Sequence, residues 1–409
     1  MNAIIYPASL AGDIAAIASK SQAHRLLICA ALADRETAIS CRTLSDDILV
    51  TADCLRALGA AIDYNSEKGV FSVRPICRRP QTTALDCGES GSTLRFILPV
   101  VCALGTKAVI RMHGRLPERP LSPLWEELEA HGAALSRPSD NTLAVSGRLT
   151  AGSYTLAANI SSQFISGLLF ALPLLGEESI FSLSGELESA SYVDMTLRAL
   201  ENFSLRWRQA DGRFILPAGA AYRSPGALQV EGDWSNGAFW IVANRLCGGA
   251  LNIHGLDPKS PQGDSAVERL VRQIAGGNAV INCQNIPDLV PILSVLAAVS
   301  PGETLFTHAG RLRIKESDRL AATAALLTAL GGRVKQLPDG LAVTGVSRLS
   351  GGEVTSENDH RIAMSAAIAA LVCDGPVALR GAQAVNKSYP GFWADYIRLG
   401  GRVEWEDST

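Results

Sequence analysis

The segment LTALGGRVKQL, residues 327–337, joins a helical apolar pattern to an alternating strand pattern through two glycines. The segment YIRLGGRVEW, residues 396–405, is organised in the same way. Four further segments also end a helix near a turn residue and continue directly into a strand. The six turn positions are Gly59, Gly132, Phe203, Gly276, Gly331 and Gly400. Their spacings of 73, 71, 73, 55 and 69 residues indicate an internal repeat.

Six strongly apolar helices alternate with these segments, and each opens on small or polar residues. One example is SSQFISGLLFALPLL, residues 161–175. The six openings lie near Ser21, Ser90, Ser161, Ser235, Asp288 and Asn358, at spacings of 69, 71, 74, 53 and 70 residues. Helices that are apolar nearly all round belong in a core. The two interleaved series therefore predict an α/β fold of six copies, each with two helices plus several strands, and three copies in each domain.

The composition sets limits on the class of protein. A chain of 409 residues is too long for one ordinary core, which predicts two domains. The net charge of −3 argues against a nucleic-acid or membrane-surface binder. The opening MNAIIYPASL predicts no signal peptide, and every apolar run is shorter than the roughly 20 residues that span a bilayer. We expect a soluble, cytoplasmic protein.

The cysteines and histidines show no ligand spacing. The nine cysteines include no C-x-x-C pair, and the six histidines include no H-x-x-x-H pair. We expect reduced, buried cysteines and no metal site.

The stretch RLRIKESDRL, residues 311–320, carries four cations and two acids in a chain that is only 19% charged. One interpretation is a solvated helix start, with Ser317 and Asp318 as capping residues. The other is an anion site, because a helix start offers unpaired N–H groups and the positive end of the helix dipole. Most other candidate anion-binding residues of the chain also lie at predicted helix starts. If these starts converged on one cleft, the cleft would suit a substrate with more than one phosphate or carboxylate.

Eight motifs extend this pattern over essentially the whole chain: SKSQAHR, LDCGESGSTLRF, LPERP, SSQFISGL, PDLVP, RIKESDRL, DHRIAM and NKSYPGFW. In residues and order they resemble the 5-enolpyruvylshikimate-3-phosphate synthase (3-phosphoshikimate 1-carboxyvinyltransferase) family. The resemblance implies a two-domain inverted α/β barrel with the active site in the interdomain cleft. It also assigns the first strand to the C-terminal domain. We therefore expect residues 1–18 and 230–409 to form one domain and residues 19–229 the other.

The resemblance implies transfer of the enolpyruvyl group of phosphoenolpyruvate to the 5-hydroxyl of shikimate 3-phosphate, a step of aromatic amino acid biosynthesis. Phosphate leaves through a tetrahedral adduct, and no metal or organic cofactor takes part. The implied partners are these two small molecules, and we expect a monomer that binds neither nucleic acid nor membrane. Because both substrates are phosphorylated carboxylates, fixed cations must offset their repulsion.

The site residues are also implied by the resemblance. The shikimate 3-phosphate contacts would be Ser21, Arg25, Ser161, Ser162, Gln163, Ser189, Tyr192, Asp288 and Lys315. The phosphoenolpyruvate contacts would be Lys20, Gly91, Arg119, Gln163, Arg319, Arg361 and Lys387, and His360 joins the substrate-binding set. Asp288 would be the base for the 5-hydroxyl and Glu316 the proton donor, with Lys20 and Lys387 sharing proton transfer. The chain departs from the family pattern at Glu89, Ser92 and Arg311.

Two alternatives stay open. The sister family transfers enolpyruvate to UDP-N-acetylglucosamine, but it begins with a Lys-Asn motif and usually has a loop cysteine. This chain has Lys20-Ser21 instead, and Arg119-Pro120 in a loop without cysteine. The other alternative is a non-catalytic anion-binding or structural homologue, which would not need both Asp288 and Glu316.

Overall fold

The computed structural model describes residues 1–185, 187–210 and 212–406. The chain divides into two compact units. The central unit comprises Ala18–Val230, and the terminal unit comprises Met1–Ile17 and the chain from Glu231 onward. Each unit has its own apolar core.

The helices and strands follow one another in copies of a common unit. The terminal unit begins with β1 (Asn2–Tyr6) and β2 (Gly12–Ala15). The central unit then starts with α1 (Lys20–Ala31), β3 (Thr37–Ser40), α2 (Asp46–Ala57), β4 (Ala61–Asn65) and β5 (Val70–Arg74). Its second copy comprises β6 (Thr82–Asp86), α3 (Gly91–Leu104), β7 (Lys107–Arg111), α4 (Leu124–Ala130), β8 (Ala133–Ser139) and β9 (Thr142–Gly147). Its third copy comprises β10 (Ser153–Ala157), α5 (Ser162–Ala171), β11 (Ser179–Ser184), α6 (Ala190–Asn202), β12 (Arg208–Ala210) and β13 (Arg213–Leu216).

The strand β14 (Ala227–Gln229) ends the central unit, and the chain then returns to the terminal unit. The next elements are α7 (Trp234–Leu246), β15 (Leu251–His254) and α8 (Val267–Ala275). They are followed by β16 (Ala279–Asn282), α9 (Val290–Ala298), β17 (Glu303–Thr307), α10 (Arg319–Ala329), β18 (Arg333–Leu337) and β19 (Gly340–Thr344). The last elements are β20 (Gly352–Thr355), α11 (His360–Ala370), β21 (Val377–Arg380), α12 (Phe392–Arg398) and β22 (Arg402–Glu406).

Five copies form a four-stranded sheet of one topology. Two parallel strands are extended by two antiparallel ones, as in the order β6-β7-β9-β8. The first copy is completed by β14, which pairs parallel with β3, and the last by β1, which lies antiparallel between β21 and β22. The predicted α/β fold of six copies is confirmed, and three of the copies, the first, the fourth and the last, are assembled from segments that are distant in sequence.

The fourth copy is smaller than the others. It has a two-stranded sheet in which β2 pairs parallel with β15, and α8 leads directly to the first strand of the next copy. The antiparallel hairpin of the other copies does not occur between α8 and β16. Its absence explains the short sequence spacings of 55 and 53 residues at this point.

The second helix of every copy ends in the same kind of turn. A residue with positive φ lies two positions after the last helical residue: Gly59, Gly132, Ser204, Gly277, Gly331 or Gly400, with φ from 65° to 109°. Glycine suits this position because it has no Cβ to clash in the left-handed conformation. The sequence markers Phe203 and Gly276 are therefore one residue too early, since each occupies the preceding C-cap position.

The first helices of the copies fill the cores, as their apolar sequences predict. Every residue of α11 is buried, and α9 is likewise buried throughout. Polar side chains that could meet a ligand lie at the starts of these helices: His360 and Arg361 begin α11, and Asp288 lies just before α9.

The cysteines and the lengths of the apolar helices were also predicted from the sequence. All nine cysteines are unpaired, and seven are buried. The expectation of burial is wrong for Cys77, which is exposed in the irregular segment between β5 and β6. Within the described residues, no helix combines the length and apolar character needed to cross a membrane.

Candidate active site

A cluster of arginines and carboxylates lies at helix starts of the terminal unit. Its centre is Arg319, the first residue of α10, whose side chain is only 2% exposed. The guanidinium bonds three carboxylates: Nη1 to Asp288 Oδ1 at 2.8 Å, Nη2 to Glu316 Oε2 at 2.7 Å, and Nε to Asp359 Oδ2 at 2.7 Å. The interpretation of residues 311–320 as a solvated helix start is therefore wrong for Arg319, although Asp318 does cap the helix by accepting from the Ala321 N–H.

A second arginine reaches the same cluster from α11. Arg361 Nη2 donates to Asp288 Oδ2 at 2.9 Å, and Nη1 donates to the Asp288 carbonyl at 3.3 Å. Asp359 caps this helix by accepting from the Arg361 N–H at 2.9 Å while it also binds Arg319. Asp288, in the short 3₁₀ helix Pro287–Leu289, is thus held between two guanidinium groups.

The charges in this cluster shift the titration of its members. Burial by itself would raise the pKa of Asp288, but Arg361, Arg319 and Lys315 outweigh it and hold the pKa well below its usual range. Burial would likewise lower the pKa of Arg319, yet Asp359, Glu316 and Asp288 raise it further above its ordinary value. Asp288 is therefore ionised throughout the physiological pH range.

The other cations of the stretch at residues 311–320 have different surroundings. Burial lowers the pKa of Lys315 to about 8, against the attraction of Asp288 and Glu316. Arg313 pairs with Asp318 at 3.1 Å and donates to the Leu337 carbonyl, and Arg311 donates to the Gln284 carbonyl. Of the four cations, Lys315 and Arg319 are therefore the two that act electrostatically on Asp288.

Two further predicted residues lie beside the start of α11. Lys387 ends the 3₁₀ helix Ala382–Lys387, and its Nζ donates to the Asn358 carbonyl at 2.7 Å. His360 is the first residue of α11 and is buried, with Nδ1 3.9 Å from Asp359 Oδ1. The DHRIAM and NKSYPGFW motifs thus meet around one helix start.

In the central unit, Arg25 of α1 makes hydrogen bonds to α6. Its Nε donates to Thr196 Oγ1 at 2.8 Å and its Nη2 to the Tyr192 carbonyl at 2.9 Å, while Nη1 bonds the Ser21 carbonyl at 2.5 Å. Burial lowers the pKa of Arg25 to about 10, so the group stays cationic at neutral pH. The predicted residues Ser21, Arg25 and Tyr192 are therefore in direct contact. Ser189 starts α6 in the left-handed conformation with φ 54°, which is uncommon for a residue other than glycine.

A second group in the central unit surrounds the start of α3. Arg95 Nη1 donates to Gln163 Oε1 at 3.0 Å, and Gln163 Nε2 donates to Ser92 Oγ at 2.9 Å. A Cβ atom on Gly91 would lie 2.6 Å from Nη1 of both Arg119 and Arg95, so glycine is what allows the two guanidinium groups to approach this helix start. The predicted residues Gly91, Arg119 and Gln163 are thus brought together. Ser161 and Ser162 lie at the adjacent start of α5, where Ser161 is the N-cap.

Sequence reasoning left out two residues that the structure places in these groups, Asp47 and Asp264. It includes Arg95, one helical turn from Gly91, among the polar residues at helix starts but assigns it no substrate contact. Asp47 binds Lys20, with Oδ2 2.8 Å from Nζ, and its signal was the acidic pair that opens α2. Asp264 lies behind Arg361 and had no sequence signal, because its position depends on tertiary packing.

Comparison with known proteins places this geometry in a family. The sequence profile of "EPSP synthase (3-phosphoshikimate 1-carboxyvinyltransferase)" matches residues 5–396. A 3-phosphoshikimate 1-carboxyvinyltransferase of Clostridium acetobutylicum is 40% identical over an alignment of 425 positions, which covers 99% of each chain. The protein of the same name from Clostridium perfringens is 39% identical over 421 residues, covering 98% of this chain and 99% of the relative.

Solved structures agree on the fold. EPSP synthase from Acinetobacter baumannii superposes with a TM-score of 0.81 at 24% identity, covering 99% of this chain and 100% of that one. The enolpyruvyl transferase NikO from Streptomyces tendae gives a TM-score of 0.78 at 18% identity, covering 100% and 99% of the two chains. At these identities the likeness shows the two-domain enolpyruvyl transferase fold and no more. The family match and the curated relatives, which cover nearly the whole chain, establish that this protein belongs to the EPSP synthase family.

Proposed function

We propose that this protein transfers the enolpyruvyl group of phosphoenolpyruvate to the 5-hydroxyl of shikimate 3-phosphate and releases phosphate. The relatives named for this reaction support it along the whole chain. The observation that carries it is the placing of Asp288 between Arg319 and Arg361, with Glu316 bound to the same Arg319. This arrangement supplies a base, an acid and two anion-binding arginines at one helix-start cluster. We further propose that the central and terminal units are the two domains, that they close on the substrates, and that the enzyme is a cytoplasmic monomer.

Substrate anions would compete with protein carboxylates for the arginines. The two arginines, Arg319 and Arg361, face three carboxylates, Asp288, Glu316 and Asp359, so these five side chains carry no excess of positive charge. The phosphoenolpyruvate carboxylate can replace Asp288 on one guanidinium, because a guanidinium forms charge-assisted hydrogen bonds with either carboxylate. Binding then costs only the exchange of one charge-assisted pair for another.

This exchange would also make Asp288 a stronger base. A carboxylate held by two arginines is ionised but accepts a proton poorly, because its pKa is far below that of the reacting group. When substrate takes over one arginine contact, the pKa of Asp288 rises toward its ordinary range. Asp288 then gains affinity for the proton of the 5-hydroxyl once both substrates are bound.

The proposed reaction follows from these positions. Asp288 takes the proton of the 5-hydroxyl while the hydroxyl oxygen bonds to the central carbon of phosphoenolpyruvate. Glu316 gives a proton to the methylene carbon. The tetrahedral adduct collapses when the resulting methyl group returns a proton to Glu316 and the carbon–oxygen bond to phosphate breaks. Lys20 and Lys387 share proton transfer to the leaving phosphate. Positioning and fixed charge supply the catalysis.

The remaining contacts are proposed for each substrate in turn. Shikimate 3-phosphate would be bound by Ser21, Arg25, Ser161, Ser162, Gln163, Ser189, Tyr192, Asp288 and Lys315. Phosphoenolpyruvate would be bound by Lys20, Gly91, Arg119, Gln163, Arg319, Arg361 and Lys387, with His360 in the same set. The contacts around Gly91 support the second assignment, because two guanidinium groups lie against the start of α3.

Phosphate release measured with both substrates tests the proposal. Asp288→Asn and Glu316→Gln should each lower kcat by about 10²- to 10⁴-fold with little change in shikimate 3-phosphate affinity. Glu353→Gln is the control, because Glu353 is an exposed carboxylate of the same unit that pairs with Arg380.

Two outcomes would reassign the protein. Turnover with UDP-N-acetylglucosamine but not with shikimate 3-phosphate would favour the sister family. Binding of both proposed substrates without turnover would favour the non-catalytic alternative.

A further inference from the structure

A buried serine and a buried aspartate lie behind Arg361, outside the proposed substrate contacts. Ser235 is the second residue of α7, and Asp264 belongs to the 3₁₀ helix Gly263–Ala266. Arg361 Nη2 donates to Ser235 Oγ at 3.2 Å, and Ser235 Oγ in turn donates to Asp264 Oδ2. The same Nη2 also holds Asp288 Oδ2. A chain of contacts thus runs from Asp288 through Arg361 and Ser235 to Asp264.

Donor and acceptor chemistry sets the direction of the hydrogen bonds from Arg361 through Ser235 to Asp264. Arg361 can only donate, so Ser235 Oγ must accept from it and direct its own hydrogen elsewhere. An ionised Asp264 accepts that hydrogen and leaves the serine lone pairs facing the guanidinium. A protonated Asp264 would compete as a second donor toward the same hydroxyl, and the link to Arg361 would weaken.

The surroundings of Asp264 contain few charges. Arg361 faces it from α11, Asp288 from the turn before α9, and Asp233 from the N-cap of α7. The charged side chains in the first turn of α8, Glu268 and Arg269, are exposed. The second oxygen of Asp264, Oδ1, has no hydrogen-bond partner within the described part of the chain.

We propose that Asp264, acting through Ser235, is a positioning residue that holds Arg361 against Asp288. The inference rests on the proposed function, because Arg361 and Asp288 are its substrate-binding arginine and its base. Burial, followed by the charge of Asp288, raises the pKa of Asp264 to about 7 against the opposing effect of Arg361. The link is therefore strongest above neutral pH and weakens as the pH falls below it.

Activity is the first readout. Wild-type kcat/KM should fall as the pH decreases through about 7, while Asp264→Asn should lose this step and be roughly ten- to hundredfold lower at pH 8. Ser235→Ala removes the link itself and should behave in the same way. Ser365→Ala is the matched control: it removes a buried hydroxyl of α11 that has no hydrogen-bond partner in the described residues, and it should keep the wild-type profile.

Thermal stability distinguishes a positioning role of Asp264 from a merely structural role. The folded-state pKa of Asp264 is above its unfolded value, so the folded protein binds the proton more tightly and loses stability as the pH rises from about 4 to 7. Asp264→Asn removes this loss. At pH 8 the variant should therefore have reduced activity but an unfolding temperature no lower than that of wild type. If the role of Asp264 were merely structural, the variant would lose both stability and activity.

Nuclear magnetic resonance gives a readout that does not need turnover. In protein labelled with ¹⁵N-arginine, the Nη groups of Arg361 should give separate signals at pH 8, because Asp288 and Ser235 restrict their rotation. These signals, assigned with Arg361→Lys, should average in Asp264→Asn and Ser235→Ala. An unchanged pH profile together with unchanged Arg361 signals in both variants would overturn the proposal. If wild type has no turnover, the proposed function fails, and the Arg361 signals still decide the role of Asp264.

Discussion

Replacing Arg319 tests whether one buried cation holds three carboxylates together. Arg319→Met leaves Asp288, Glu316 and Asp359 without the guanidinium that bonds each of them within 2.8 Å. Asp288 keeps Arg361, but Asp359 is completely buried, and within the described residues its remaining hydrogen-bond donors are Ser317 Oγ and the Arg361 N–H. Removing one partner of a buried ion pair costs about 3–5 kcal/mol. We expect that loss in the free energy of unfolding of the terminal unit at pH 8.

The pH dependence makes this prediction specific. Without the arginine, the carboxylates lose a cation that favours their charged forms, so proton uptake on acidification removes part of the cost of burying an unpaired charge. Wild type has no such gain from Asp288, because the stabilising contribution of its lowered pKa is lost only below the unfolded value of about 4, outside this pH range. The difference between the two proteins should therefore be smaller at pH 5 than at pH 8.

Urea denaturation followed by circular dichroism at both pH values measures the difference. Arg348→Met is the matched control, because Arg348 and Asp374 form a pair 3.0 Å apart that is 62% exposed on both sides. Exposed pairs contribute about 0–1 kcal/mol, so this variant should be close to wild type. A loss below about 1 kcal/mol for Arg319→Met at pH 8, or an equal loss at pH 5, would refute the reasoning.

Three further predictions concern single positions. Gly91→Ala places a Cβ 2.6 Å from Arg119 Nη1. In steady-state assays it should raise the KM for phosphoenolpyruvate roughly ten- to hundredfold and leave the affinity for shikimate 3-phosphate unchanged. Equal KM values for the variant and wild type would contradict the packing argument. Lys315 has its pKa lowered to about 8 by burial, so calorimetric affinity for shikimate 3-phosphate should decrease as the pH rises through 8 in wild type and stay level in Lys315→Met. His24 has its pKa lowered to about 3 by burial, so its folded form binds fewer protons than the unfolded form and stability is lost as the pH falls below about 6.5. His24→Asn should reduce the stability difference between pH 7.5 and pH 5 by about 2 kcal/mol in chemical denaturation, and a variant as sensitive to acid as wild type would argue against a neutral buried histidine.

The fold could be predicted because its main signals are local and repeat six times. A left-handed turn such as that at Gly331 and an apolar helix such as α11 are each determined within a few residues of sequence. The reduced fourth copy was visible only as a short interval, since a missing hairpin leaves no residues of its own. Phe203 was taken as a turn marker because the left-handed residue that follows it, Ser204, is not a glycine.

The site was predictable in its motifs but not in its contacts. Arg319 and Asp359 are 40 positions apart in sequence, and Asp288 joins them from a third helix start. Nothing local to RIKESDR indicates that its last arginine is buried among carboxylates while Arg313 turns toward Leu337. Asp264 was missed for the same reason, because a pair such as Asp264 and Ser235 forms only after α7 and its neighbours have packed.

The place of β1 between β21 and β22 has a consequence for biosynthesis. On the ribosome, the partners of β1 emerge only after several hundred further residues have been made, a delay of roughly 20–80 s at about 5–20 residues per second. During that time the central unit has all of its own strands and can complete its folding, whereas the first strand of the nascent chain has no edge to pair with. Chaperone binding near β1 would therefore protect the terminal unit far more than the central one.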